Sequence, residues 1–494
     1  MDAEQFEQFN RDVASGELSS RELVEIILRQ QRVIDALRAE LQQAQAKIAQ
    51  LEEEAARKNP TQRLEEEYSL KAEEQRRRKR RRKQKSKRRG RRTTASKLAQ
   101  AERTQIVVPE GFAPEACRLH RRRPVWRIEN GRAVLVAYHI YRGPGGELPA
   151  LPELLPRCEY GLEILVAVAF LVFIVRLSMD KVCAQLEFFW ELKLSKSQAD
   201  ALLNRLAREW EPEFDALCEL LANSAVVHAD ETGWSINSVW AFLSEKVRVL
   251  LFGVHKDAAT LAALLPKDLF GGTLVSDDAA VYRGFTRAQK CWAHLIRKAI
   301  KLTLLQPENA EYRRFLDGLV GLYGRAQRLA RDRRLKEATR RQKVPGLEQE
   351  LRALCAARAQ DEGAPASEAE ADYLRLVKEL LRLLEAEELF TFVIHPEVPA
   401  TNNEAERGLR DSAQDRDIGR TNKTVPGARR RTVTTSVLES LRLYLPEFTL
   451  RSVLEEVKGW LSSGRSRFRR LLESLGLSPP ARSPLDVVLP VPAD

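Results

Sequence analysis

Cysteine is scarce in this chain, six in 494 residues, and no two of them form a Cys-x-x-Cys pair. The scatter of Cys117, Cys158, Cys183, Cys218, Cys291 and Cys355 excludes a disulfide framework and a cysteine-rich zinc site, and it fits a reducing compartment. Cys117-x-x-His120 lacks a convincing second pair for zinc. Long apolar runs are absent as well. The longest, Ile164 to Val175, has twelve residues, short of the roughly 20 that a membrane helix needs, and it predicts a buried helix. The start, Met1-Asp2-Ala3-Glu4, is acidic and has no apolar stretch. The expectation is therefore a protein without a signal peptide or membrane contact, soluble and cytoplasmic.

Acidic residues are missing from one segment altogether. Between Arg76 and Arg92 fourteen of seventeen residues are Lys or Arg: Arg76, Arg77, Arg78, Lys79, Arg80, Arg81, Arg82, Lys83, Lys85, Lys87, Arg88, Arg89, Arg91 and Arg92. Without this run the net charge of +12 becomes −2, so the basicity is one local device. Such a run suits a polyanion, and on DNA it would release counterions without reading sequence. A nuclear-localisation reading of the same run is weaker, because such runs are common.

The length predicts two or more domains. Ile27, Gln30, Ile34, Leu37, Leu41, Ala44, Ile48 and Leu51 step by threes and fours, an a/d seam, with Ser19-x-x-Glu22 as its capping box. Residues 1–70 are thus expected to form an oligomerising coiled coil, ahead of a single amphipathic helix folded onto the body, and 71–104 a basic DNA-binding linker. Residues 105–157 form a small domain containing a strand from Arg132 to Tyr141 and a possible remnant of a zinc module. Over 158–222 the pattern is helical. Ser178 to Leu192 and Ser195 to Trp210 fit a helix-turn-helix or, equally, two packed helices.

From 223 the period turns to strands: Ala225-Val226-Val227 into Asp230, Val239 to Leu243, Val247 to Val254, a helix at Ala258 to Leu265, then Gly-Gly-Thr-Leu-Val-Ser into Asp277. Parallel pairing of the first and fourth strands would set Asp230 and Asp277 side by side. Residues 296–390 are helical and read as an insertion between 223–295 and 391–445, with 446–494 as C-terminal helices and tail.

Two strand-end aspartates and a glutamate at a later helix start suit two divalent ions about 4 Å apart acting on phosphodiesters. Glu231 and Asp278 compete with their neighbours, but adjacent strand residues face opposite ways. In Thr401-Asn402-Asn403-Glu404-Ala405-Glu406-Arg407, Thr401-x-x-Glu404 has capping-box spacing, which gives Glu404 a structural role. Glu404 and Glu406 lie about 200° apart around a helix, so one metal pair takes only one of them. The structural alternative for Glu406 is an ion pair with Arg410. His228 and His294 flank the acidic strands, and packing or hydrogen bonding is the expected role for each.

Four segments together resemble the insertion sequence 66 family of bacterial DDE-type transposases. They are His228-Ala229-Asp230-Glu231-Thr232; Leu274 through Asp277 with Tyr282; Cys291-Trp292-Ala293-His294; and Leu389-Phe390-Thr391-Phe392 leading through Pro396, Val398, Pro399 and Thr401 to Asn402-Asn403-x-Ala405-Glu406-Arg407-x-x-Arg410. The resemblance covers roughly 158–460. It implies an α/β, ribonuclease-H-like mixed sheet with a large helical insertion, behind an N-terminal coiled coil and helical region. It further implies Asp230, Asp277 and Glu406 as ligands of two Mg²⁺ ions, with Mn²⁺ as substitute, for DNA cleavage and strand transfer. His228, Trp292, His294, Asn402 and Asn403 would support the site, and Arg407 and Arg410 would contact DNA. Insertion-sequence ends and target DNA, a homo-oligomeric partner and helper proteins follow as partners, at the nucleoid. Where the family favours Gly-Tyr after the second aspartate, this chain has Asp278-Ala279. Asp411 and Arg416-Asp417 stand where the family has Pro and then Arg-Lys, so a catalytically degenerate DNA-binding relative is one alternative. A nuclease without strand transfer is the other.

Overall fold

The computed structural model describes residues 31–47, 50, 93–359, 365 and 367–490. The chain divides into two units, Met1–Arg91 and Arg92–Asp494. In the first, residues 31–47 are helical, and the seam residues Ile34, Leu37 and Leu41 are all exposed. Ser19, Glu22, Ile27, Gln30, Ile48 and Leu51, and the basic run Arg76 to Arg92, lie outside the described residues.

The second unit is mixed α/β with two sheets. The smaller has the order β1-β3-β2, from β1 (Arg103–Val107), β2 (Arg118–Glu129) and β3 (Arg132–Arg142). β2 and β3 form a hairpin through Asn130 and Gly131, whose φ angles of 50° and 79° suit the right-handed twist of its arms. The strand expected at 132–141 is β3. β2 was not anticipated, because three consecutive arginines (Arg121 to Arg123) obscure its alternation.

The apolar run becomes α1 (Leu162–Ala169), buried throughout, and a π-helical turn at Phe170–Ile174. Ser178 caps α2 (Met179–Trp190), and Ser195 caps α3 (Lys196–Ala222) in a capping box with Gln198. α3 runs through Pro212, well past the expected end at Trp210, and buries Leu203, Leu206, Phe214 and Leu217. A helix so enclosed serves as a core element.

The larger sheet comes from β4 (Val226–Gly233), β5 (Ser238–Leu243), β6 (Arg248–Val254), β7 (Thr273–Ser276) and β8 (Ala288–Lys290), with α4 (Ala258–Leu264) before β7. Its order is β6-β5-β4-β7-β8. β4 runs antiparallel to β5, as a meander requires, and parallel to β7, the arrangement that sets Asp230 and Asp277 side by side, and β8 continues the parallel side. α5 (Trp292–Leu305), α6 (Ala310–Arg331), α7 (Glu337–Ala359) and α8 (Glu368–Glu385) then pack on an apolar core of their own, centred on Leu319, Leu351 and Leu380.

The chain returns as α9 (Asn403–Asp417) and α10 (Val425–Tyr444). α10 takes the place of a sixth strand. Thr432, Ser436 and Ser440 accept hydrogen bonds from the Phe252, Leu250 and Arg248 backbone N–H groups at 3.0, 2.9 and 3.0 Å. Four helical residues rise about 6 Å and two strand residues about 6.6 Å, so hydroxyls at i, i+4 and i+8 keep step with alternate strand amides. The edge of β6 is thereby closed. α11 (Leu450–Ser463) and α12 (Arg467–Ser474) complete the unit.

Candidate active site

The last parallel pair between β4 and β7 is His228 with Val275. Asp230 and Asp277 each stand two residues further on, in matching register, on the same face by the period-two rule. β4 itself continues past Asp230 to Gly233 because β5 still pairs with it, so Asp230 is not the strand end expected from sequence.

Neighbouring carboxylates separate by what neutralises them. Glu231 pairs with Lys256 and accepts the Tyr282 hydroxyl. Asp278 pairs with Arg382, and more loosely with Arg283 at 3.8 Å. Asp230 and Asp277 have no ion-pair partner among the described residues. Asp230 Oδ1 accepts the Glu231 N–H and Asp277 Oδ1 the Ala279 N–H, both at 2.9 Å. Burial, followed by the charges of Glu231, Asp277 and Glu406, pushes the Asp230 carboxyl up to about 7.

Asn402 brings the third segment in. It is fully buried; its Nδ2 donates to the Ala229 carbonyl at 2.8 Å, and its Oδ1 lies 3.1 Å from His228 Nδ1. Its backbone N–H donates to Cys291 Sγ at 3.1 Å. One side chain thus ties the start of α9 to the strand carrying Asp230 and to the turn before α5. It also caps α9: the Glu406 N–H bonds the Asn402 carbonyl at 3.2 Å.

This corrects the capping-box expectation. Asn402, not Thr401, is the N-cap, and the cap makes no side-chain hydrogen bond to the helix. Glu404 points to the sheet, bonding Arg248 at 3.1 Å with His228 Nε2 3.7 Å away. Glu406 turns the other way, to Arg297 at 2.8 Å and His294 Nδ1 at 3.5 Å. The two glutamates do part company, and Glu404 pairs with a cation on β6 instead of capping the helix. Nor does Glu406 pair with Arg410, because Arg297 on α5 takes it.

The remaining residues fall into place. His228 is buried, and desolvation lowers its pKa, so it is a neutral hydrogen-bonding group. Burial and Arg297 likewise lower that of His294. Trp292 is fully buried, donates to the Leu389 carbonyl at 2.7 Å and stacks on Tyr323, which makes it an anchor for the helical block. Asn403 and Arg407 are exposed, with the Arg407 Nε–H donating to the Asn403 carbonyl at 3.1 Å, and Arg410 is exposed with no partner among the described residues. Of the acids after Arg410, Asp411 pairs with Arg176 at 3.4 Å, exposed Asp417 pairs with its neighbour Arg416 at 3.4 Å, and buried Asp415 pairs with Arg431, whose guanidinium lies over the Trp234 and Phe252 rings.

Among the described residues one group of three or more ligand types gathers within 4.8 Å: Cys291, His294 and Glu406. Asp230, Asp277 and Glu406 stand further apart, since like charges repel and Arg297 draws Glu406 to α5. Burial raises the Cys291 pKa, and its sulfur already accepts the Asn402 N–H, so it is a poor thiolate donor. Cys117 and Cys158 join no such group. Arg297 and Arg248 went unnoticed in the sequence, although Arg297 lies three residues after His294, on the same helical face.

The model for the transposase IS66 family matches residues 157–430, more than half of the chain. The chain therefore belongs to the IS66 transposase family. No curated protein matches it. No helix among the described residues is long and apolar enough to cross a membrane.

Proposed function

We propose that the chain is a DNA transposase in which Asp230, Asp277 and Glu406 hold two divalent ions, Mg²⁺ or Mn²⁺, for phosphodiester cleavage and strand transfer. The observation that carries this reading is the unneutralised Asp230–Asp277 pair, with the Asp230 carboxyl raised to about 7 by burial and then by Glu231, Asp277 and Glu406. A carboxylate cluster with its competitors tied off in ion pairs is a set of hard oxygen donors, and it fits such ions by charge and by type. When bound, they would stabilise charge at the phosphate and activate the attacking hydroxyl.

The chain's own contribution is placement. Asn402 fixes α9 against β4, and Glu406 on α9 pairs with Arg297 at 2.8 Å on the α5 side of the aspartates, a pair that metal binding would have to displace. His228 stays uncharged under the sheet end. The sheet order, with three antiparallel strands and two parallel to the central one, supports a ribonuclease-H-like catalytic domain. The exposed seam on 31–47 supports self-association through a coiled coil, and Arg76 to Arg92 supplies non-specific DNA affinity. Asp411 is engaged with Arg176 and Asp417 with its neighbour Arg416, so each acid behind the degenerate, binding-only alternative already has a cationic partner.

The test is Mg²⁺-dependent cleavage and joining of end-sequence DNA by wild type and Asp277→Asn. Loss of both steps in the variant supports the reading, and equal activity in the two proteins overturns it. Cleavage without joining in the wild type would mark a nuclease.

A further inference from the structure

Beside Asp277 opens a cleft of about 520 Å³, walled on one side by the sheet end and α5 and on the other by α8 of the helical block. Six basic side chains line it against three acidic ones, an excess of positive charge next to a carboxylate cluster. On α8 the basic residues Arg375, Lys378 and Arg382 stand at i, i+3 and i+7, one helical stripe. The other faces of that helix bury Leu376, Val377 and Leu380 in the core. Arg382 is held by Asp278 at the mouth of the site. Arg375 keeps an exposed pair with Asp372 at 2.9 Å, and Lys378 has no partner among the described residues.

We propose that this cleft binds the sugar-phosphate backbone of the DNA strand that continues from the phosphate held at Asp230 and Asp277. The inference rests on the transposase reading for the identity of the strand, and on the cleft itself for the mode of binding. No Phe, Tyr or Trp lines it, so it offers no platform for stacked bases. Its chemistry is that of phosphate contacts, which position a strand without reading its sequence. Because the stripe belongs to the helical block, that block would act as a clamp that fixes the strand over the carboxylates.

The test uses the full chain carrying Arg375→Glu and Lys378→Glu together, both exposed and away from the core. Affinity for a random-sequence oligonucleotide is measured across salt concentrations, with Mn²⁺ binding as a check that the carboxylate site is intact. Loss of two phosphate contacts should make the slope of log affinity against log salt shallower by about 1.4–1.8, with Mn²⁺ binding unchanged. A control pair, Arg451→Glu with Lys458→Glu on α11, should leave the slope alone. A slope equal to wild type, or an equal change in the control pair, overturns the proposal. A shallower slope in a protein that never cleaves DNA would support the clamp and sink the catalytic reading. An unchanged slope in a protein that cleaves, and that Asp277→Asn inactivates, would do the reverse.

Discussion

Asp230→Asn isolates the electrostatic cost of assembling the site. The Asp230 carboxyl is raised from 3.8 to about 7, chiefly by burial and then by Glu231, Asp277 and Glu406. A folded-state pKa above the unfolded one means that the folded chain holds the proton more tightly. The associated stability is complete below about pH 4 and is lost as pH rises through about 7. At about 1.4 kcal/mol for each tenfold change in proton affinity, the loss reaches at most about 4 kcal/mol. An unfolding entropy of about 2.1 cal/mol/K per residue, over a unit of about 400 residues, converts this to about 5 °C in Tm. Thermal unfolding in chelator at pH 5.5 and 8 is the assay. Roughly half of the effect is already gone by pH 5.5, so between the two pH values wild type should lose about 2 kcal/mol, about 2–3 °C, more than Asp230→Asn. His228 and His294, whose lowered pKa values act in the opposite direction, remain in both proteins and largely cancel in the difference. Mg²⁺ at about 100 times its Kd should return about 2.7 kcal/mol to wild type at pH 8 and nothing to the variant. Equal pH slopes, or an Mg²⁺ response that survives in Asp230→Asn, would refute the reasoning.

Asn402→Ala strands the buried Ala229 carbonyl and the His228 ring, at about 1–3 kcal/mol for each orphaned group. Its denaturant midpoint should fall clearly, while exposed Asn403→Ala should stay within about 0.5 kcal/mol of wild type. Arg431→Met leaves Asp415 buried and unpaired, and should cost about 3–5 kcal/mol by the same measurement. Deleting Arg76 to Arg92 should flatten the salt dependence of DNA binding, and an unchanged slope in a filter or anisotropy titration would remove that segment from the account.

Much of the site was legible because its parts obey short-range rules. Apolar runs ending near Asp230 and Asp277 located β4 and β7, whose parallel pairing was one arrangement the pattern allowed, and helical spacing set Glu404 and Glu406 on different faces. What escaped reading was decided by distant partners. Thr401-x-x-Glu404 has capping spacing, yet Asn402 is claimed by Ala229 and His228 from far along the chain, which moves the cap by one residue and sends Glu404 to Arg248. Glu406 likewise meets Arg297 from another helix, in preference to its own neighbour Arg410. β8 is three residues long, too short to show a period. β2 was hidden by its arginines, although Asn130-Gly131 carried the hairpin signal.

The central claim is that Glu406, and not Glu404, completes the site with Asp230 and Asp277. The most direct measurement is Mg²⁺-dependent cleavage and joining of end-sequence DNA by wild type, Glu406→Gln and Glu404→Gln. Glu406→Gln should lose more than about 100-fold, beyond what removing a supporting group does, and Glu404→Gln should keep near-wild-type activity. Full activity in Glu406→Gln, or loss confined to Glu404→Gln, would contradict it.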